Sequence, residues 1–256
     1  MNKHIKAFAL ALIAATPFAF ATNGSDDYQS YSSLAYGNNG GTGLGAHTYL
    51  EGTGGGIYLE TGGAAITGGK SMGIYSSTGG QALDRSTSPG AFGIYSVSAR
   101  FNLDNSVAFS GLNLKDTQGS TFGTGELISF GLTPGTGNTS IFVAGSVNQT
   151  ISLGSEIRGS VIDFQLTFNS TAATYTLGAK FSGAGSYTTV SGSLKDTNGG
   201  AAGTGNANFL GFGNFNTGTS QNLIVDNIVI VPEPSAFALL GIGGLALGFI
   251  ARRRKA

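Results

Sequence analysis

The stretch SVIDFQLTFN at 160–169 narrows the folds open to this chain more than any other feature. Ile162, Phe164, Leu166 and Phe168 recur at every second position, with Asp163, Gln165, Thr167 and Asn169 between them. A period of two puts the apolar four on one face of an extended strand and the polar four on the other, the pattern of a half-buried antiparallel strand. Looser versions run through FGIYSVSARF, SVAFSGLNL, ELISFGL, TSIFVAG, TYTLGAKF and FLGFGNF. NLIVDNIVIV is apolar on both faces except at Asp226 and Asn227, as expected of a strand covered on two sides. No segment between the two ends carries a 3.6-residue apolar stripe of helical length. Short strands with glycine-rich turns at this spacing predict an all-β fold, an antiparallel β-sandwich.

The two ends read differently. MNKHIKAFALALIAATPFAFA has Lys3 and Lys6, an apolar run from Ala7 to Ala15, and Ala19 and Ala21 in the small-x-small pattern cut by signal peptidase. Pro17 and the shortness of the run argue against an anchor helix. Residues 1–21 therefore read as a cleaved signal peptide, and 22–231 as one exported β-sandwich domain. With Cys 0 there is no disulfide framework, thiolate nucleophile or Cys-ligated metal, so that domain must stand on its own core. From Thr22 to Val231, seven Lys and Arg face twelve Asp and Glu, a net charge of −5. A mildly acidic body argues against nucleic acid as a partner, since phosphate binding needs clustered cations.

The chain closes on VPEPSAFALLGIGGLALGFIARRRKA. Ser235 to Ala251 is uncharged and at the lower edge of what spans a bilayer, and Arg252, Arg253, Arg254 and Lys255 follow at once. The positive-inside rule leaves the basic end in the cytoplasm and the body outside. Pro232 and Pro234 hold Glu233 extended, because the residue before a proline is pushed out of the helical region. In this order, at a C-terminus and behind a signal peptide, these parts resemble the PEP-CTERM sorting signal of Gram-negative bacteria that make extracellular polysaccharide. The resemblance implies that residues 232–256 form the sorting signal. Pro232, Glu233 and Pro234 would be recognised by exosortase, a membrane cysteine protease; Ser235–Ala251 would be a single transmembrane helix, and Arg252, Arg253 and Arg254 its stop. The product would reach the outer surface or the extracellular matrix, anchored to the membrane only in transit. A plain C-terminal anchor with a chance Pro-Glu-Pro is the competing reading.

What the body does is harder to read. All twelve Phe of the segment 22–231 lie from Phe92 onward, whereas seven of the 9 Tyr lie between Tyr28 and Tyr95. Phe suits a core and Tyr a surface wet at one end, so the tyrosines mark outer or edge strands, or a platform for stacking on sugars. Tyr49, Tyr58, Tyr75 and Tyr95 are the candidates for glycan contact. GIY recurs at 56, 73 and 93, which suits successive strands, and LKDTQGSTFGTG at 114–125 returns as LKDTNGGAAGTG at 194–205, turn chemistry built on Asx and Gly. GGTGLGAHTYLEG, ARFNLDNSVAFSGLNL and LIVDNIVIV together resemble the concanavalin-like or LamG-like jelly rolls, which implies two packed sheets and, in many members, carbohydrate contact.

Catalytic signatures are missing. A glycosidase on such a sandwich needs two carboxylates facing across a cleft, and Glu126, Glu156 and Asp163 each stand alone on their strands. His47 is the single histidine after the signal peptide and reads as a surface residue, since a lone His has neither ligand partners nor a motif. No phosphate loop, cofactor motif or metal-ligand spacing is found. The expectation is a structural or adhesive protein of the exopolysaccharide layer, not an enzyme, with weak glycan binding at most. The alternative is a glycoside hydrolase whose acidic pair comes from separate strands.

Overall fold

A computed structural model describes residues 24–87, 92–102, 108–134, 138–195, 206–216 and 218–232, all within the compact unit Thr22–Glu233. Ala19 and Ala21, Glu233 and Pro234, the segment 235–251 and Arg252, Arg253 and Arg254 lie outside the described residues. In chain order the strands are β1 (Gly24–Asp26), β2 (Thr48–Gly52), β3 (Gly55–Glu60), β4 (Ser71–Ser76), β5 (Gln81–Ser86), β6 (Phe92–Asn102), β7 (Ser110–Lys115) and β8 (Glu126–Leu132). There follow β9 (Ser140–Ala144), β10 (Asn148–Ser152), β11 (Val161–Asn169), β12 (Thr174–Phe181), β13 (Thr188–Ser193), β14 (Phe209–Asn214) and β15 (Gly218–Pro232). No helix occurs among the described residues.

The strands form two antiparallel sheets packed as a sandwich. One sheet runs β13-β12-β11-β6-β15-β4-β3, with β1 beside β15, and the other runs β10-β9-β8-β7-β14-β5-β2. The alternation of β11 places Ile162, Phe164, Leu166 and Phe168 in the core, each at most 1% exposed. Phe130 of β8 crosses the gap between the sheets, its ring centroid 5.1 Å from that of Phe164 and 6.5 Å from that of Tyr95. The GIY triplets do mark three strands. In β3 and β4 they pair with Gly56 opposite Tyr75 and Tyr58 opposite Gly73. A Cβ on Gly73 would lie 2.2 Å from the Tyr58 ring, so only glycine lets that ring lie flat across the strand.

Two insertions cover what would otherwise be open sheet. Residues 61–70 lie over the outside of the first sheet, where Asp226, at 0% exposure, accepts from the Thr67 hydroxyl at 2.6 Å and the Thr67 amide at 3.1 Å. Residues 116–125, the first copy of the echoed turn, lie over the outside of the second. There the Phe122 amide donates to Glu51 Oε1 at 2.7 Å, and Asn113 Nδ2 donates to the Phe122 carbonyl at 2.6 Å. This cover buries Asn113 and Lys115 on the outward face of β7, whose Leu112 and Leu114 face the core. The second copy of the echo passes at Asp196 out of the described residues.

Candidate functional site

Among the described residues, a groove open to solvent lies on the outward face of β11, β12 and β13. Register places Thr167, Thr176 and Ser191 in one row across the three strands and Asn169, Thr174 and Ser193 in the next. Neighbouring strands stand about 4.8 Å apart, so these groups make a regular hydroxyl lattice. Thr176 and Ser191 share a hydrogen bond of 2.8 Å, and Asn169 Oδ1 accepts from the Ala172 amide at 2.7 Å, leaving the other hydroxyls of the lattice to solvent. The groove, about 580 Å³, runs between them over Phe168, Tyr175 and Gly192. On the same strand β12, Lys180 Nζ sits 4.8 Å from the centre of the Tyr187 ring. This surface offers shallow hydroxyl hydrogen bonds and carries no acid pair.

The four tyrosines chosen from sequence do not form one platform. Tyr49 is on the edge strand β2, 46% exposed, and its hydroxyl donates to the Gly52 carbonyl at 2.6 Å. Its ring meets Tyr36 edge-on at 5.3 Å. Tyr58 and Tyr75 pair edge-on at 5.8 Å on the outward face of the first sheet, where Asn222 Nδ2 donates to the Tyr58 hydroxyl at 2.5 Å. Tyr95 corrects the expectation: it is fully buried between the sheets and cannot touch a glycan. Its phase is set by the run Tyr95, Val97, Ala99 and Phe101, all inward, so this GIY turns its tyrosine the opposite way from those of β3 and β4. Tyr36, which the sequence reading passed over, lies half-buried beside Tyr49. Burial pushes its phenol up to about 12, with Tyr49 and Tyr75 adding to the rise, and its hydroxyl donates to Gln81 Oε1 at 2.9 Å. Nothing in the loop sequence AYGNN distinguishes it.

His47 is a second correction. It is 0% exposed, not on the surface, with Nδ1 2.9 Å from the Asn38 carbonyl and rings of Tyr28 and Tyr31 each at 5.9 Å. Beside it Arg85, equally buried, donates to Asp26 Oδ2 at 2.6 Å and to the carbonyls of Gly45 and Gly40 at 2.9 and 2.8 Å. This cluster fastens the segment that follows β1 to β5. Sequence reading missed it because a buried ion pair between residues 59 positions apart leaves no local pattern.

The acidic groups are likewise engaged. Asp84 pairs with Lys115 at 2.7 Å with both side chains at 0% exposure, and burial pushes its carboxyl up to about 6 against the pull of that lysine. Glu126 pairs with Lys195 and accepts from Ser129 Oγ at 2.9 Å. Asp163 accepts from Ser98 Oγ at 2.8 Å. Among the described residues no cluster of three or more His, Cys, Asp or Glu could hold a metal ion, and no helix is long and apolar enough to cross a membrane.

Comparison with known proteins bears on both the body and the C-terminus. No curated protein matches the chain. Among solved structures it is similar to the globular domain of T. cruzi calreticulin, with TM-score 0.53 and 10% identity over 86% of this chain and 91% of that one. Lectin II from Ulex europaeus covers 80% of this chain and 99% of its own at TM-score 0.45 and 12% identity. A GH131 β-glucanase catalytic domain from Podospora anserina covers 73% and 85% at TM-score 0.40 and 13% identity. The first of these supports the sandwich fold. Residues 231–255 match the PEP-CTERM protein-sorting motif, so the chain is a β-sandwich that carries this sorting motif at its end.

Proposed function

We propose that this protein is exported through a signal peptide, cut after Ala21, and held by a transmembrane helix at Ser235–Ala251 while an exosortase processes it at Pro232-Glu233-Pro234. It then serves as a structural or adhesive component of the exopolysaccharide layer. The sorting motif at 231–255 is the observation that carries this reading, because it implies an exported protein bound for the cell surface. A jelly-roll-like sandwich with a hydroxyl lattice on β11–β13 and the exposed Tyr49 on the edge strand β2 suits shallow contacts with polysaccharide. Such contacts are individually weak, on the order of micromolar to millimolar, and gain strength from many copies on one surface. Engagement of Asp84, Glu126 and Asp163 in buried or paired interactions supports a protein without turnover.

The experiment is a glycan array with a reducing-sugar assay on the purified protein, repeated with Thr167→Val, Thr176→Val and Tyr49→Ala. Weak binding that falls in these variants, with no sugar released, is the expected result. Sugar release that disappears in Asp84→Asn or Glu126→Gln would overturn it in favour of a glycoside hydrolase.

A further inference from the structure

Lys115 and Asp84 belong to strands that are not neighbours: β7 and β5 flank β14, and the two side chains meet above it. Register sets Gly211 of β14 opposite both Asn113 and Asp84. A Cβ at Gly211 would lie 1.9 Å from Asn113 Oδ1 and 2.9 Å from Asp84 Oδ1, so the missing side chain is what leaves room for these groups. Both of those oxygens are buried without a hydrogen-bond partner. Both oxygens approach the one point from which a side chain at Gly211 would start. Asn113 is held in this sense because its Nδ2 is engaged by the Phe122 carbonyl at 2.6 Å.

Buried acceptors without a donor are costly. A proton on Asp84 Oδ1 would remove the charge from that oxygen and make it a donor beside Asn113 Oδ1. It also turns Asp84 into a neutral acid with its carbonyl oxygen Oδ2 against the Lys115 amine, 2.7 Å away. Burial acts in the same direction on this carboxyl. The segment 116–125 roofs the pair, with Lys115 Nζ also 3.3 Å from the Thr121 carbonyl, and a site closed to water favours loss of water over its addition.

We propose that Lys115 and Asp84 condense into an intramolecular isopeptide bond that ties β7 to β5 across β14. The step balances without any co-reactant. Proton transfer within the ion pair gives a neutral amine and a neutral acid. Nζ then adds to Cγ, the N–C bond forms, the Cγ–Oδ1 bond breaks, and Oδ1 leaves with its own proton and one from nitrogen as water. The product is a neutral amide, which removes the desolvation cost of a buried ion pair. Asn113 acts as a positioning residue that holds the acid proton on the leaving oxygen. The bond would give an exported chain with Cys 0 the covalent staple that disulfides give others.

The test is a tryptic map of the full-length protein after denaturation. If the bond forms, trypsin cannot cut at the acylated Lys115. The map should then show a branched species, the peptide 71–85 joined to the peptide 101–158, lighter than their sum by one water. Lys115→Arg keeps the cation but should abolish the branched species, and so should Asp84→Ala. Asn113→Leu, which keeps both reacting groups, should lower the branched fraction. Wild-type protein that yields the free peptide 101–115 as its main product would overturn the proposal and leave an ordinary buried ion pair. The measurement reads mass alone, so it stands whether or not a variant folds fully.

Discussion

Lowering the pH should unfold this protein partly through His47. The imidazole is fully buried, its Nδ1 donates to the Asn38 carbonyl, and Nε2 has no partner. Burial first, and then the neighbouring Arg85 cation, hold its pKa down to about 4 from 6.5, while the Asn38 carbonyl and Asp26 pull the other way. In the unfolded chain the ring takes its proton near the ordinary value. Between about pH 6.5 and 4 the unfolded state therefore binds more protons, and stability falls as the pH falls through that window and is flat above it. That depression of the pKa, taken to pH 4, corresponds to about 3 kcal/mol. Urea denaturation near pH 7, 5.5 and 4 should be compared with His47→Gln, which keeps an N–H for the Asn38 carbonyl but does not titrate. All other groups titrate in both proteins, so the difference between their pH profiles isolates the imidazole. The wild type should lose about 3 kcal/mol more than the variant on acidification. Parallel profiles would refute the buried neutral imidazole.

Two further outcomes follow from the fold and the motif. Phe164→Ala empties a site 1% exposed between Phe101 and Phe130, whose rings lie 6.4 and 5.1 Å away. It should cost about 3–5 kcal/mol in chemical denaturation, whereas Gln165→Ala on the opposite face should change stability by less than about 0.5 kcal/mol; equal losses would mean the strand faces the other way. Replacing Pro232, Glu233 and Pro234 by alanine should leave export intact and stop C-terminal processing, read as intact mass on the surface fraction, and wild-type surface protein that still carries Arg252 to Lys255 would refute the processing step.

The parts of the fold legible in sequence are those where one face is wet. β11 and β12 keep polar residues on their outward face, so TYTLGAKF and SVIDFQLTFN show period two and their bounds are readable to within a residue. β8 was legible in the looser alternation of ELISFGL, although every residue in it is buried. β1, β2, β5, β10 and β13 had no such mark. The three residues of β1 are too few to show a period, and β13 reads TTVSGS, hydroxyl-rich because it is an exposed edge. In β5 the pattern is inverted by ion pairs: QALDRS carries Asp84 and Arg85 side by side, both fully buried, one on each face of the sheet. Adjacent opposite charges in sequence suggest a solvated turn, and only their distant partners, Lys115 and Asp26, make them interior residues.

The same reasoning explains where the candidate tyrosines lie. Tyr49 and Tyr58 sit on β2 and β3, the edge strands of the two sheets, and Tyr75 on β4 beside β3; Tyr49 is exposed, while Tyr58 and Tyr75 are half-buried against each other. Tyr95 sits on β6, between β11 and β15 at the centre of its sheet, where an inward phase leaves no route to solvent. Its exclusion was readable from residue spacing, since Tyr95 shares its parity with Val97, Ala99 and Phe101 and not with Ser96 and Ser98. The hydroxyl lattice was readable only in fragments, because Thr167, Thr176 and Ser191 come together through the pairing of three strands. At the C-terminus the relation reverses. Pro232 is both the last residue of β15, paired opposite Gly93, and the first proline of the sorting motif. β1 lies along the other side of β15, with Gly24 opposite Ile230 and Asp26 opposite Ile228. The strand that ends in the first residues of the motif is thus paired with the first strand of the body, so Val231 and Pro232 belong to both the sandwich and the motif.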